Sequence, residues 1–434
     1  MFVRHALPGE RVRARLTQAG ETDRFWRADA VEVLTASPDR VPAPCPYAGP
    51  GRCGGCDWQH ASLPAQRRLK AAVVVEQLTR LGHLPADHPA LTDLTVTPLP
   101  APLGVDQANW GRSSKLGSIK QTGVDQANHD HGLGWRTRVR FTVDDTGRPG
   151  FHPHRSHDVI PVDHCPIADP RIDELGVGRR RWPGTSAVDV VAAGSGERLV
   201  VVEPLPGRRT EVPPLGADAA VAHRAEHGLR RLRGRIWVNE EVQVDAVARP
   251  FRVTGSGFWQ VHPAAAQVLL DAVLDATVPA PGERALDLYG GVGLFAAGLA
   301  MRVGPEGLVL HLESDERACA DARRSLHDLP QVRVEQGRVE RTVARWSAPG
   351  GPLDGGADVV VLDPPRAGAG RRVIEAVTGL RPRVIAYVAC DPAALARDVA
   401  FAAEAGYRLS GLRAFDAFPM THHVECVARL VPDR

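Results

Sequence analysis

The sequence predicts a doubly wound α/β domain in its C-terminal half, preceded by a small OB-like β-barrel and a mostly β central domain. Three observations carry this. From about Trp237 apolar strand patterns alternate with helical ones, the signature of stacked βα units. A Gly-rich turn, DLYGGVG, joins one of those strands directly to its helix. Upstream, the chain reads mainly as strands punctuated by Gly and Pro. The expected boundaries are 1–42 for the barrel, 43–236 for the central domain and 237–434 for the α/β domain.

The bulk numbers suit a folded protein of about three domains: 434 residues, 43% hydrophobic and 24% charged. No apolar run approaches the roughly 20 residues of a membrane span, and MFVRHALPGERVR lacks the apolar segment of a signal peptide. A cytoplasmic location is expected. The net charge of +2 says little about partners, and of the 53 basic residues only Lys70, Lys115 and Lys120 are lysine. Arg is the better phosphate fork, but charge composition alone is weak evidence for a nucleic-acid partner.

ALPGERVRARLTQ and FWRADAVEVLT read as two strands with turns between them. They suit an OB-type barrel, for which strands ahead of Met1 would be needed, so the barrel is expected to be N-terminally incomplete. Cys45, Cys53 and Cys56 follow in a Gly- and Pro-rich stretch with C-x7-C-x2-C spacing, and Cys165 comes later in DHCPI. Four soft thiolates suit zinc or an iron–sulfur cluster, and the spacing is not that of a paired zinc ribbon. SLPAQRRLKAAVVVEQLTRLG reads as an amphipathic helix. The same six letters, GVDQAN, stand at 104–109 and 123–128, marking a flexible insertion at about 104–132. In WRTRVRF, Arg136, Arg138 and Arg140 share one face of a strand beside Trp135, a pattern that fits either RNA backbone contact or a solvated face.

In the C-terminal half the chemistry gathers at strand ends. Glu313 closes LVLHLE, Asp363 opens DPPR after VVVL, and Cys390 ends VIAYVA just before a helix capped by Asp391 and Pro392. The carboxyl ends of parallel strands are where α/β sheets bind ligands. The helix dipole is expected to lower the Cys390 thiol pKa. Glu425, in FPMTHHVE, is a candidate base, and the Gly turn with Glu313 suits S-adenosylmethionine.

Taken in order, ALPGERV, CGGC, FWQ, DLYGGVGLF, LDPPRAG, YVACDPAALARD and FPMTHHVE span nearly the whole chain. The set resembles the S-adenosylmethionine-dependent RNA uracil-5-methyltransferases with an N-terminal TRAM barrel. The cysteines are similar to those of the branch acting on 23S rRNA, which carries a [4Fe-4S] cluster. The resemblance implies that Cys390 adds to C6 of the uracil ring and that Glu425 removes the C5 proton. It implies that Gln260, Tyr289, Gly291, Gly293, Glu313 and Asp363 line the cofactor pocket, and that Cys45, Cys53, Cys56 and Cys165 hold the cluster. An RNA partner follows, with rRNA favoured over tRNA, and a monomer. The alternatives are a tRNA m5U methyltransferase and a non-catalytic RNA-binding iron–sulfur protein. His262, Leu294 and Arg338 depart from the family pattern. Methylation of an adenine amino group is disfavoured, because Arg366 stands where that chemistry wants an aromatic side chain.

Overall fold

The structure, a computed structural model, describes residues 1–20, 24–100, 132–226 and 228–433. The GVDQAN duplication expected at about 104–132 lies outside these residues apart from Gly132. The N-terminal strands β1 (Phe2–Arg4), β2 (Arg11–Gln18) and β3 (Arg27–Thr35) form an open sheet in the order β1-β3-β2. The two strands read from the sequence are β2 and β3, paired antiparallel.

After the cysteine-rich segment, helix α1 (Leu63–Arg80) starts at Ser62, whose side chain accepts from the Ala65 amide. Strand β4 (Val96–Pro98) follows. The central sheet comprises β5 (Arg138–Val143), β6 (Pro149–Phe151), β7 (Ile160–Pro161), β8 (Thr185–Ala192), β9 (Arg198–Pro204), β10 (Ala220–Ala225) and β11 (Gly228–Arg233). Its order is β11-β10-β9-β8-β5-β6-β7. A short helix, α2 (Pro170–Glu174), lies on β8.

The α/β half opens on a hairpin, β12 (Trp237–Val244) with β13 (Val247–Thr254), where alternating strand and helix was expected. The alternation starts later: α3 (Ala265–Thr277), β14 (Arg284–Leu288), α4 (Leu294–Val303), β15 (Leu308–Glu313), α5 (Glu316–Ser325), β16 (Val332–Gln336) and α6 (Val339–Trp346). It continues with β17 (Val359–Leu362), α7 (Arg371–Gly379), β18 (Val384–Ala389), α8 (Pro392–Glu404), β19 (Tyr407–Asp416) and β20 (Glu425–Pro432). These strands pair in the order β16-β15-β14-β17-β18-β20-β19-β4. The first five are parallel and β20 runs antiparallel to β18. The strands β17 and β18 are buried at every position, as continuous apolar runs between two helical layers should be.

Two expectations are corrected. The boundary at 236 is crossed, because β4 pairs with β19 at the edge of the C-terminal sheet. Val74 and Leu78 of α1 also join the core beneath that sheet. The basic row is engaged within the protein. Arg138 donates to Glu240 Oε1 at 3.0 Å, Arg140 reaches Asp189 and Glu203, and Trp135 is 3% exposed. Acidic residues on neighbouring strands draw these guanidinium groups along the sheet, and the indole packs parallel to the His262 ring, 6.1 Å away. Among the described residues no helix is long and apolar enough to cross a membrane.

Candidate active site

The site is assembled where four strand ends meet loops. On β14, Asp287 is fully buried, and its Oδ2 accepts from the Ala296 amide in the first turn of α4 and from His311 Nδ1 of β15, each at 3.0 Å. This pair nails down the turn that follows. Tyr289, Gly291 and Gly293 all have positive φ, 62°, 57° and 95°. A Cβ on Gly290 would lie 2.3 Å from the His311 ring and 2.5 Å from Asp287 Oδ2, so only glycine fits there.

Glu313, at the end of β15, is fixed by the same turn. Its Oε2 accepts from the Gly291 amide at 3.0 Å, and its Oε1 accepts from the Asp315 amide at 2.7 Å. A carboxylate held over a glycine turn at the sheet's C-terminal edge fits the ribose end of S-adenosylmethionine. Tyr289 is half-buried; burial, Glu340 and Asp398 push its phenol up to about 12. Gln260 is 7% exposed, on the segment between β13 and α3. Of the departing residues, Leu294 begins α4 in the core, Arg338 is an exposed N-cap to α6, and His262 is buried, its imidazole pushed down to about 4 by desolvation.

The strands β18 and β20 bring the reacting groups together. Ala389 pairs with Cys426, so one further step along the same register sets Cys390 opposite Glu425. Asp363 ends the neighbouring β17, its amide donating to Leu288 O at 3.2 Å. Three titratable groups thus face one another in a largely buried site. Glu425 is 3% exposed, and burial followed by the Asp363 charge raises its carboxyl well above the usual range. Burial and Asp287 push Asp363 up to about 7.

The expected lowering of the Cys390 thiol is overturned. Burial first, then Glu425 and Asp363, push it up to about 11. Asp391 caps α8 as anticipated, accepting from the Ala394 amide at 2.8 Å. A helix terminus is worth a fraction of what desolvation beside two carboxyl groups costs a thiolate.

Three residues take positions here to which the sequence assigned no role. Arg366 opposes the rise at both Cys390 and Glu425, and its guanidinium lies 3.2 Å from His423 Nε2. Fully buried Asp398 gathers the Ala369 and Gly370 amides and the Tyr387 hydroxyl, the last at 2.6 Å, and so fixes the loop that carries Arg366. The buried Asp287 is the third. The available signal was a charged residue inside an otherwise apolar run: Asp287 in ALDL and Asp398 in an alanine-rich helix.

Cys45, Cys53, Cys56 and Cys165 line one largely apolar recess, with Gln59 and Arg136 in its wall. Burial raises all four thiols. Gln59 is 3% exposed and accepts from the Cys45 amide at 3.0 Å. Among the described residues no group of three or more His, Cys, Asp or Glu is arranged to hold an ion as it stands. The donor set nonetheless fits a thiolate-ligated centre. Four soft donors converge from two segments, and Arg136 offsets their charge.

A sequence profile of the family described as tRNA (Uracil-5-)-methyltransferase matches residues 355–431, which hold Asp363, Cys390 and Glu425. The chain is 49% identical over 435 residues to an uncharacterized RNA methyltransferase of Streptomyces avermitilis, covering 100% of this chain and 93% of that one. It is 34% identical to a second from Bifidobacterium longum, covering 99% of this chain and 91% of the relative. In fold it is similar to the Pyrococcus abyssi tRNA (uracil-54, C5)-methyltransferase in complex with S-adenosyl-L-homocysteine. That match has a TM-score of 0.66 and 22% identity over 99% of this chain and 95% of the other.

Proposed function

The chain belongs to a family of RNA methyltransferases, and from that premise we propose that it is a uracil-5-methyltransferase that methylates C5 of a uridine in 23S rRNA through a covalent Cys390–C6 adduct. The observation that carries this reading is the register of β18 against β20, which faces Cys390 with Glu425 beside Asp363 and Arg366.

The chemistry follows from what uracil lacks. Its C5 is too weak a nucleophile to take a methyl group directly. Addition of the Cys390 thiolate to C6 moves an electron pair toward C5 and O4. S-adenosylmethionine, which Glu313, Asp363, Gln260, Tyr289 and the Gly291–Gly293 turn would hold, would supply the methyl group that C5 takes as the sulfonium C–S bond breaks, leaving as S-adenosylhomocysteine. Glu425 then takes the C5 proton, the C6–S bond breaks, and the thiolate is released. The target uridine must leave its stack to reach a recessed thiol.

Cys45, Cys53, Cys56 and Cys165 would hold a [4Fe-4S] cluster, a group that cross-links the segments bearing its ligands. These four thiols are also what favours rRNA over tRNA. A tRNA target is the second reading, supported by the activity named for the Pyrococcus fold relative. The N-terminal sheet would serve as a TRAM module for RNA, and a cytoplasmic monomer suits the whole.

Mapping of 5-methyluridine in total RNA, with and without the gene, tests the proposal. The loss of one methylated position in 23S rRNA is expected. A loss confined to tRNA would transfer the reading to the second target, and unchanged methylation of both RNAs would refute it.

A further inference from the structure

The nine residues that lead into Glu425, Asp416–Val424, form a strap held by buried polar groups of α1. Lys70 of α1 is fully buried; its Nζ donates to Asp416 Oδ1 at 2.5 Å and to Phe418 O at 3.0 Å. Asp416 is 1% exposed, so this is a desolvated ion pair, costly to break from either side. One turn earlier Gln66, also fully buried, accepts from the Met420 amide at 2.8 Å. Its Nε2 donates to Trp58 O at 3.0 Å and Ala61 O at 2.9 Å.

The Trp58 amide closes the circuit by donating to Met420 O at 3.0 Å. Met420 has φ 68°, a left-handed conformation that is strained for a non-glycine residue. Both polar groups of its backbone are engaged by the 58–66 segment, which is what keeps it there. Further along, His422 Nδ1 lies 2.6 Å from Asp57 Oδ2, and Asp57 also takes a 3.0 Å bond from Arg4. His423 meets Arg366. Apolar packing alone would have covered this segment. Directional bonds at Asp416, Phe418, Met420 and His422 instead specify where it sits, to within the tolerance of a hydrogen bond.

We propose that Gln66 and Lys70 are positioning residues for Glu425. They set the base against C5 of the uridine that Cys390 holds, and through its bond to Trp58 O Gln66 ties that placement to the segment bearing Cys56. This rests on the uracil-5-methyltransferase reading. Elimination needs the C5 proton removed before the C6–S bond can break. A misplaced base therefore spares adduct formation and methyl transfer, and slows release. The signature is a protein–RNA complex that survives denaturation.

The test uses full-length protein, S-adenosylmethionine and total RNA from a strain lacking the gene. With Gln66→Ala, product release is expected to fall about 10- to 100-fold, the range for a small misplacement of a catalytic group. The KM for S-adenosylmethionine should not change, and the denaturation-resistant complex should accumulate, as is expected of Glu425→Gln too. Cys390→Ala gives no complex. If Gln66→Ala loses complex and product in parallel, or is unaffected, the inference is overturned. Should that variant fail to fold, His422→Ala, at the exposed end of the strap, decides by the same readout: a weaker accumulation supports the inference, and none overturns it. Wild-type protein that makes neither 5-methyluridine nor an adduct with 5-fluorouridine RNA overturns the reading underneath, an outcome that needs no Gln66 variant to recognise.

Discussion

A cysteine that keeps its proton is a poor nucleophile, and Cys390, pushed up to about 11, keeps it at neutral pH. The causes are local: burial, Glu425 and Asp363, with Arg366 opposing. Below its pKa the thiolate fraction grows tenfold per pH unit. The single-turnover rate of adduct formation with 5-fluorouridine RNA is therefore expected to rise about tenfold per unit between pH 7 and 9. Rapid-quench measurements check this, and a rate that stays flat across that range would mean that RNA binding itself removes the proton. The placement of Cys390 and Glu425 was legible because each sits in a short motif at a strand end. Their protonation was not, since it depends on a carboxyl group 27 residues upstream of Cys390, at Asp363, and on how deeply the fold buries the trio.

At the scale of elements, the parallel strands were readable because a strand covered on both faces is a continuous apolar run, and VVVL and VIAYVA are such runs. The arginine row of β5 misled because strand alternation shows which residues share a face, and not that Glu240, Asp189 and Glu203 lie across it. The glycine turn was visible, but the glycine that space demands is Gly290, while Gly291 has nothing within 4 Å of an added Cβ and needs only its positive φ. The two substitutions should therefore differ. Gly290→Ala is expected to cost about 1–3 kcal/mol of overpacking and to weaken S-adenosylmethionine binding at least about tenfold. Gly291→Ala should cost about 1 kcal/mol in backbone strain. Thermal melts and calorimetric titration of both variants check this, and equal effects would contradict it.

Across the whole molecule, the connections that matter are long-range, and for that reason they were the least legible. The helix α1 and strand β4 belong by position to the central region, yet they complete the core and edge of the C-terminal sheet. The four cysteines were readable as a set, because three fall within twelve positions, but their link to the catalytic strap through Asp57, Trp58 and Gln66 appears only in the folded chain. If the recess holds a cluster, Cys56→Ser should lose both iron and sulfide. Its thermal midpoint should fall by about 5 °C or more, since 1 kcal/mol moves a domain of ordinary size by about 2–4 °C. Protein isolated without oxygen that carries neither metal nor sulfide would contradict this. The central claim, that a uridine is methylated while bonded to Cys390, is tested most directly by mass spectrometry of the intact, S-adenosylmethionine-loaded protein after reaction with 5-fluorouridine RNA. The account predicts a methylated fluorouridine nucleotide attached to the peptide that contains Cys390, and none on Cys390→Ala. No adduct, or an adduct that persists in Cys390→Ala, would contradict it.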